Sequence, residues 1–303
     1  MPSVVVLGAA LLDLHARSRA RIIPGTSNPG RVHTTAGGVG RNIAESIARL
    51  GTQVALVALI GPDEAGDRVL RDTSAAGVDV SLVMTGPEPT GSYLAVLDDD
   101  GELAVALSDL TGTERVSVAA FQASEPAIAQ AAVVVVDANL PVTVVSWALR
   151  VAHLHGVRVV LDPVSVPKAR PLAAVLAEGL PVYAVTPNAD ELPALTGGAA
   201  DPVGWLLDHG VDHVWVRRGA QGSTLHSRAG ALHVPAAPVT VADVTGAGDS
   251  MTAGFVHALV TGGTPAQATT YGQVVAELTV SHPATVRPDL TDALVRARLK
   301  ETR

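Results

Sequence analysis

Short apolar runs rich in β-branched residues alternate along this chain with alanine-rich stretches. Strands that are buried on both faces have such near-continuous apolar sequences, as in a parallel sheet covered by helices. The alternation therefore predicts a three-layer, doubly wound α/β fold with a mostly parallel sheet. Asp137, Asp162 and Thr186 end three of the runs, and ligands of such folds bind beyond the carboxyl ends of the strands. The predicted strands are 4–7, 54–60, 133–137, 157–162, 182–186 and 213–216, and the predicted helices are 41–50, 63–76, 142–155, 189–195 and 202–209.

Two early regions interrupt this alternation. Residues 14–36 are polar and rich in turn-forming residues, and residues 91–108 predict two strands, 92–97 and 103–108, around a turn at 98–101. Both regions fit a small β-sheet that stands off the main sheet. The chain is otherwise predicted to form a single domain over residues 1–303.

The composition narrows the classes of function. A chain of 303 residues that is 48% hydrophobic and 17% charged suits a large folded core. A net charge of −8 and an aromatic content of 3% argue against nucleic acid as a partner. The absence of cysteine excludes disulfides, thiol catalysis and cysteine-ligated zinc. Since no apolar run is long enough to span a membrane and the N-terminus resembles a buried strand, we expect a cytoplasmic protein without a membrane partner.

The segment from Ala242 to Phe255 predicts a phosphate site. Gly246, Ala247 and Gly248 precede a predicted helix, and Asp249 lies at its start. Unpaired N–H groups in the first turn of a helix favour an anion, and small residues let a phosphate approach that backbone closely. Asp249 can accept a proton from an attacking hydroxyl group. A glycine turn and an Asp at this point also serve as an ordinary helix cap, which is the alternative.

Two motifs resemble the signatures of the ribokinase-like, or phosphofructokinase-B, family of sugar and nucleoside kinases. The family's Asp-x-x-Gly-Ala-Gly-Asp is matched from Asp243 to Asp249, and its Gly-Gly-x-Gly-x-Asn is matched from Gly37 to Asn42. The resemblance covers nearly the whole chain and implies an ATP-dependent phosphotransferase. It implies that Asp249 is the base and that Gly246, Ala247 and Gly248 bind the transferred phosphoryl group. It also implies that the small sheet, from here on the lid sheet, covers the substrate and forms a homodimer surface.

The resemblance assigns further residues to ATP and its metal ion. Asn188 and Glu191 match an Asn-x-x-Glu motif that organises Mg²⁺, an ion that needs few protein ligands. Helix capping explains the same spacing. Arg217, Gly219 and Gly222 match the nucleotide-binding turn, although the family usually has a small or hydroxyl residue in the place of Arg217. Gly246 and Gly248 are expected to contact the nucleotide as well.

A monovalent cation such as K⁺ is a second implied ion. In many relatives the loop before the anion site binds it through Asp, Thr and backbone carbonyl groups, which assigns Asp243 and Thr245 here. Formation of a turn explains an Asp-x-Thr pattern nearly as well.

The acceptor side starts at Asp13, directly after the first predicted strand. The resemblance makes Asp13 a ligand of sugar hydroxyl groups, since a carboxylate accepts strong hydrogen bonds from two of them; an Asx turn is the alternative. Gly38 and Asn42 would border the same sugar. Asn139 follows a central strand and faces the same crevice.

A finer resemblance concerns the acceptor. The stretch from Ser27 to Ala44 contains Ser-Asn-Pro-Gly and then Gly-Gly-Val-Gly-Arg-Asn, which resembles the pseudouridine kinase subfamily. The segment 162–165 with Lys168, and the segment 106–109, are similar to it too. This implies that the acceptor is the 5′-hydroxyl of pseudouridine, with Lys168, Ser108 and Asp109 beside it, unless Ser108 and Asp109 are merely solvated turn residues.

Other functions stay open. A ribokinase or another sugar or nucleoside kinase is the alternative within the family, and a catalytically silent ligand sensor is the alternative outside it. A dehydrogenase is weaker, because Gly8-Ala9-Ala10 does not supply the Gly-x-Gly-x-x-Gly fingerprint.

Overall fold

The structure is a computed structural model that describes residues 3–301. The strands in chain order are β1 Val4–Leu7, β2 Leu11–Ser18, β3 Gly30–Gly37, β4 Val54–Val57, β5 Leu59–Ile60, β6 Met84–Thr85, β7 Ser92–Leu97, β8 Leu103–Asp109, β9 Val133–Asp137, β10 Arg158–Asp162, β11 Val182–Val185, β12 Val211–Arg217, β13 Ser223–Ser227 and β14 Gly230–Val234. The α-helices are α1 Val39–Arg49, α2 Glu64–Ala75, α3 Thr111–Arg115, α4 Val118–Phe121, α5 Glu125–Gln130, α6 Val142–Leu154, α7 Val166–Ala169, α8 Leu172–Leu176, α9 Glu191–Ala194, α10 Pro202–Asp208, α11 Ala247–Val260, α12 Pro265–Val280 and α13 Asp292–Glu301.

The main sheet has the strand order β14-β13-β12-β11-β10-β9-β1-β4. Every pair from β4 to β12 is parallel, and β13 and β14 extend one edge as an antiparallel hairpin. The predicted mostly parallel, doubly wound sheet is therefore confirmed. One predicted strand, 54–60, divides in two, because β5 leaves the main sheet after β4 and pairs with β6 instead.

The core forms one layer on each face of the main sheet. Along β9, Val133 and Val135 pack into one layer while Val134 and Val136 pack into the other. Helices α1, α11 and α12 contribute to the first layer, and α6, α8 and α10 contribute to the second. Alternate side chains of one apolar strand thus reach opposite layers, which is why these strands have continuous apolar sequences.

A crevice opens where the winding direction of the main sheet changes. The chain runs from β1 to β4 on one side and later returns to β9 on the other side of β1. Gly8 and Gly40 lie so close together that a Cβ on Gly40 would be 2.7 Å from the Cα of Gly8. A Cβ on Gly8 would also be 2.1 Å from Oδ2 of Asp137. Ligands bind at such switch points, and glycine permits the close contact there.

The lid sheet has the strand order β3-β2-β7-β8. It is mixed: β2 is antiparallel to β3 and parallel to β7, and β7 is antiparallel to β8. The predicted strand 92–97 is found as β7, and the predicted strand 103–108 continues one residue further as β8. Much of β8 is exposed, including Val105 and Leu107. In the part of the chain that the structure describes, no helix is both long and apolar enough to cross a membrane.

Candidate active site

Helix α11 starts at a glycine in the left-handed conformation. Gly246 has φ 74° and ψ 1°, and a Cβ added there would lie 2.3 Å from the carbonyl oxygen of Thr285. The backbone N–H groups of Gly248 and Asp249 donate to no acceptor among residues 3–301. With the dipole of this 14-residue helix, these two free donors favour an anion, whereas the N–H of Ala247, which the sequence also assigns to the anion, donates to the carbonyl oxygen of Val244 at 3.2 Å.

Asp249 connects this helix to the glycine turn before α1. Its Oδ2 accepts a hydrogen bond of 2.9 Å from Nδ2 of Asn42. Burial raises the pKa of Asp249 to about 7, and the nearby charges of Asp162 and Asp137 add to that effect, whereas Asn42 and Arg217 oppose it. A carboxyl group with a pKa near neutrality is suited to act as a general base.

Asp162 lies at the centre of a hydrogen-bond network at the end of β10. Its Oδ2 accepts from Oγ1 of Thr186 at 3.0 Å, from Oγ1 of Thr252 at 3.1 Å and from Nη1 of Arg217 at 3.2 Å. The sequence marks Asp162 and Thr186 as polar strand ends but predicts no role for them. Thr252 lies in α11 without any sequence signal, because only the fold brings it to the ends of β10 and β11. The network fixes α11 to the main sheet.

Asn188 and Glu191 form a closed pair at the start of α9. The backbone and side-chain amides of Asn188 donate to the two carboxylate oxygens of Glu191, at 2.9 and 2.8 Å, and Oδ1 of Asn188 accepts from the N–H of Glu191. This is the capping arrangement that the sequence left open. Nη2 of Arg217 lies 3.6 Å from Oε2 of Glu191, whose pKa is raised by burial. The carboxylate is thus already satisfied, so it fits Mg²⁺ better through the water shell of the ion than by direct coordination.

The predicted nucleotide turn lies between β12 and β13. Gly219 and Gly222 have φ angles of 52° and 82°, and a Cβ on Gly222 would lie 2.1 Å from the carbonyl oxygen of Val234. The N–H of Arg218 donates to the carbonyl oxygen of Gly222 and closes the turn. Glycine is therefore needed at position 222.

The acceptor side is built around Asp13, in β2. Asp13 is only 8% exposed, and none of its neighbours within residues 3–301 donates a hydrogen bond to its carboxylate. Burial raises the pKa of Asp13, while the charges of His15 and Arg41 act against that effect. Gly37 makes room for the carboxylate, since a Cβ there would lie 2.0 Å from Oδ2. A buried carboxylate without a donor is ready to accept hydrogen bonds from a ligand.

Two further residues are predicted to border the sugar: Gly38, which follows Gly37 in the turn before α1, and Asn139, which lies at the crevice. Gly38 has φ 99°, and a Cβ there would lie 2.5 Å from the carbonyl oxygen of Ala9, which explains the glycine. Asn139 is buried next to the switch point, where its N–H donates to Oδ1 of Asp137 at 2.8 Å. Burial raises the pKa of Asp137 to about 6.

The structure does not bring Asp109 and Lys168 to the Asp13 carboxylate. Asp109 is exposed and its Oδ1 accepts from the N–H of Thr111 at 3.0 Å, which lowers its pKa. In the register of the lid sheet, Ser108 is opposite Tyr93 and Tyr93 is opposite Asp13, so Ser108 shares the face of Asp13 and Asp109 lies on the other face. Lys168 pairs with Glu114 of α3 at 2.7 Å.

Asp243 and Thr245 form a turn beside a second loop. Oδ1 of Asp243 accepts from the N–H of Thr245 at 2.8 Å, as the turn alternative requires. The carbonyl oxygen of Thr285 faces Gly246 at the end of this turn. The loop that contains Thr285 therefore lies against the start of α11, next to this turn.

Comparison with known proteins identifies relatives along nearly the whole chain. The family model described as pfkB family carbohydrate kinase matches residues 1–292. A pseudouridine kinase of Escherichia coli is 32% identical, with 96% of this chain and 95% of that protein covered. An ATP-dependent ribose-1-phosphate kinase of Halopiger xanaduensis is 30% identical, with 96% and 97% covered.

A solved structure shows the same fold. A carbohydrate kinase from Agrobacterium tumefaciens is 31% identical and superposes with a TM-score of 0.87 over 99% of this chain and 97% of that one. The family match, these relatives and the shared fold agree with one another. The protein therefore belongs to the pfkB family of carbohydrate kinases and is a phosphotransferase that uses ATP and acts on a sugar or a nucleoside.

Proposed function

We propose that this kinase transfers the γ-phosphoryl group of ATP to the 5′-hydroxyl group of pseudouridine. The position of Asp249, hydrogen-bonded to Asn42 and next to two free N–H groups of α11, is the observation that carries phosphoryl transfer. The motif from Ser27 to Ala44 and the likeness to a pseudouridine kinase support the acceptor.

The proposed chemistry needs a base and a site for negative charge. Asp249 takes the proton of the 5′-hydroxyl, whose oxygen forms a bond to the γ-phosphorus while the bond to the bridging oxygen of ADP breaks. ADP keeps that electron pair, and Asp249 later releases the proton to water. The N–H groups of Gly248 and Asp249 stabilise the charge on the phosphoryl oxygens. Most of the rate enhancement comes from positioning and electrostatics, since the transition state of such transfers is loose.

The acceptor is proposed to bind between the Asp13 face of the lid sheet and the carboxyl edge of the main sheet. Asp13 receives hydrogen bonds from the ribose hydroxyl groups, and Gly38, Asn42 and Asn139 border the sugar. A cavity of about 510 Å³ lies along the edge of the lid sheet, next to these residues; none of Asp13, Gly38, Asn42 and Asn139 lines it. Polar side chains on the Asp13 face line it, including His15, His33 and Thr35, and these can meet the carbonyl and N–H groups of a base.

We also propose two ions. Mg²⁺ would accompany the phosphates of ATP, with Glu191 and Asn188 acting on its water shell, and it would neutralise charge that builds up on the phosphoryl oxygens. K⁺ would bind to Asp243 and Thr245 before the start of α11, next to the loop that contains Thr285, and would hold the start of this helix in place.

A kinase assay over several acceptors tests the proposed function. Rates with ATP and Mg²⁺ are measured for pseudouridine, uridine, ribose, ribose 1-phosphate, adenosine and inosine. Pseudouridine differs from uridine in carrying an additional N–H, so a buried acceptor atom that meets this group is left unpaired by uridine. We expect kcat/KM for pseudouridine to exceed that for uridine by about 5- to 150-fold. Equal turnover of ribose and pseudouridine would contradict the proposal and leave a general ribokinase.

A pair of variants locates the contact with the base. The resemblance assigns Asp109 to the acceptor, whereas in the register of the lid sheet Ser108 shares the face of Asp13 and Asp109 lies on the other face. If the lid keeps this register in the complex, Ser108→Ala lowers the preference for pseudouridine over uridine, and Asp109→Ala, on the opposite face of β8, leaves it within about twofold. The reverse result would show that Asp109 turns toward the base.

A homodimer through the lid sheet stays a proposal. Val32, Val105 and Leu107 are exposed on the lid face opposite Asp13. Burial of this face by a second copy would remove apolar surface from water. Light scattering of the wild type and of the Leu107→Lys variant checks it, since a dimer through this face would become a monomer in the variant.

A further inference from the structure

Arg217 differs from the residue that the family usually has at this position, so the resemblance does not say what its side chain binds. It ends β12, and its side chain is 12% exposed. Nη1 lies 3.2 Å from Oδ2 of Asp162, and Nη2 lies 3.6 Å from Oε2 of Glu191. The second distance is longer than a hydrogen bond, so the contact with Glu191 is mainly electrostatic. The guanidinium therefore retains N–H groups for another acceptor.

The same guanidinium lies against the start of α11. A Cβ added to Gly248 would be 2.6 Å from Nη1 of Arg217, so the side chain occupies the space that any larger residue at position 248 would need. Gly248 also carries one of the two free N–H groups of the helix. A fixed positive charge and unpaired backbone donors thus adjoin one another, and a phosphate oxygen can accept from both.

Arg217 offsets the negative charge of the carboxylates around the proposed phosphate site. Asp137, Asp162, Glu191 and Asp249 all lie at this edge of the main sheet, and their carboxylates repel a triphosphate. Among the residues that the structure describes, no other Lys or Arg pairs with any of these four carboxylates. Asp162 is additionally held by Thr186 and Thr252, so it keeps hydrogen bonds if Arg217 turns away from it.

We infer that Arg217 binds the phosphates of ATP at the start of α11, and that it supplies the positive charge that lets the nucleotide bind when Mg²⁺ is scarce. A small or hydroxyl residue at this position supplies no such charge and leaves neutralisation to the metal ion alone. The inference rests on the use of ATP and does not depend on which acceptor the kinase uses.

Calorimetric titration with ATP tests the inference without any acceptor. The wild type, Arg217→Ser and Arg217→Lys are titrated with ATP in EDTA and with ATP in excess Mg²⁺. Arg228→Ser serves as a control: it removes the same charge from an exposed arginine at the far end of the β12–β13 hairpin, where Arg228 donates to the carbonyl oxygen of Leu207 and pairs with Asp208. The melting temperature of each variant is recorded alongside.

The expected result has a clear pattern. In EDTA, Arg217→Ser binds ATP about 10- to 150-fold more weakly than the wild type, the effect of lost charge-assisted hydrogen bonds. In Mg²⁺ the same variant loses less, which also shows that its site is folded. Arg217→Lys lies between the two, since an ammonium group keeps the charge but not the fork of donors. Arg228→Ser matches the wild type.

Two results would overturn the inference. One is unchanged or tighter binding of metal-free ATP by Arg217→Ser. The other is an equal loss with and without Mg²⁺, which would make Arg217 a structural partner of Asp162 and Glu191. Either result can occur whether or not pseudouridine is phosphorylated, so failure of the proposed acceptor is recognised separately.

Discussion

The carboxyl edge of the main sheet and the lid sheet differ in how firmly they are held. In the main sheet every side chain of β1 and β9 is buried, and Asp162 accepts hydrogen bonds from three side chains. In the lid sheet most of β8 is exposed, and the carboxylate of Asp13, although buried, accepts no hydrogen bond from residues 3–301. The proposed phosphoryl-transfer groups therefore lie in a packed region, whereas β8, the lid strand that carries Ser108, is weakly packed.

This difference separates two tasks of a kinase. Catalysis by positioning needs groups that do not move, which buried hydrogen-bonded networks provide. Acceptor binding needs an open entrance and then exclusion of water, which a weakly packed sheet can provide by closing. We expect variants of the main-sheet edge to affect the chemical step and variants of the lid sheet to affect acceptor binding.

The largest expected effect is at Asp249. Asp249→Asn keeps the shape of the side chain and cannot accept a proton, so kcat falls by about 100- to 10,000-fold while ATP binding is retained. Steady-state rates and calorimetry measure the two quantities. Asp208→Asn, at an exposed position in α10, is the control. A variant that keeps more than about a tenth of wild-type kcat would remove Asp249 from the role of base.

A matched pair of leucines compares the packing of the two sheets. Leu161 in β10 is fully buried and Leu107 in β8 is 64% exposed. Leu161→Ala should lower the free energy of unfolding by about 2–5 kcal/mol, and Leu107→Ala should change it by less than about 0.5 kcal/mol. Urea denaturation measures both. Similar losses would show that the lid sheet is packed as firmly as the main sheet, for example inside a dimer.

Asp13 tests the acceptor side. Asp13→Asn removes the charge that receives the sugar hydroxyl groups, so KM for the acceptor should rise by about 10- to 150-fold while KM for ATP stays within about twofold. Steady-state kinetics with each substrate varied in turn measures this. Equal increases for both substrates would place Asp13 outside a dedicated acceptor site.

A smaller effect is expected from pH. Because the pKa of Asp249 is raised to about 7, the carboxyl group is increasingly protonated below that pH and cannot act as a base. We expect kcat/KM for the acceptor to fall about tenfold for each pH unit below 7 and to level off above it. The residual rate of Asp249→Asn should lack this dependence. A wild-type profile that is flat from pH 5 to 8 would contradict the role of Asp249.

The sequence predicts the main-sheet side of this comparison well. Buried parallel strands have distinctive apolar sequences, and the glycine turn at 246–248 follows from local backbone requirements. The network of Asp162, Thr186, Thr252 and Arg217 does not follow from the sequence, because it joins side chains from four separate segments that only the folded chain brings together. The sequence allows Asn188 and Glu191 to cap a helix or to act on a metal ion. In the structure the two residues exchange the hydrogen bonds of a cap.

The lid side was harder to predict. The strands of residues 92–97 and 103–108 were recognised, but the choice between Ser108 and Asp109 depends on the register of β8 against β7. A shift of one residue exchanges the two faces of a strand. Since β8 is exposed along most of its length, no buried face of this strand fixes the register.

Hydrogen exchange tests the division between the two regions most directly. Amide exchange is measured by mass spectrometry with and without a saturating amount of the best acceptor from the rate assay. We predict that exchange slows in β2, β3, β7 and β8, where acceptor binding closes the lid sheet, and that it is unchanged in β9 and β10, where the main sheet is already packed. Unchanged exchange in the lid strands together with slower exchange in β9 and β10 would contradict the account.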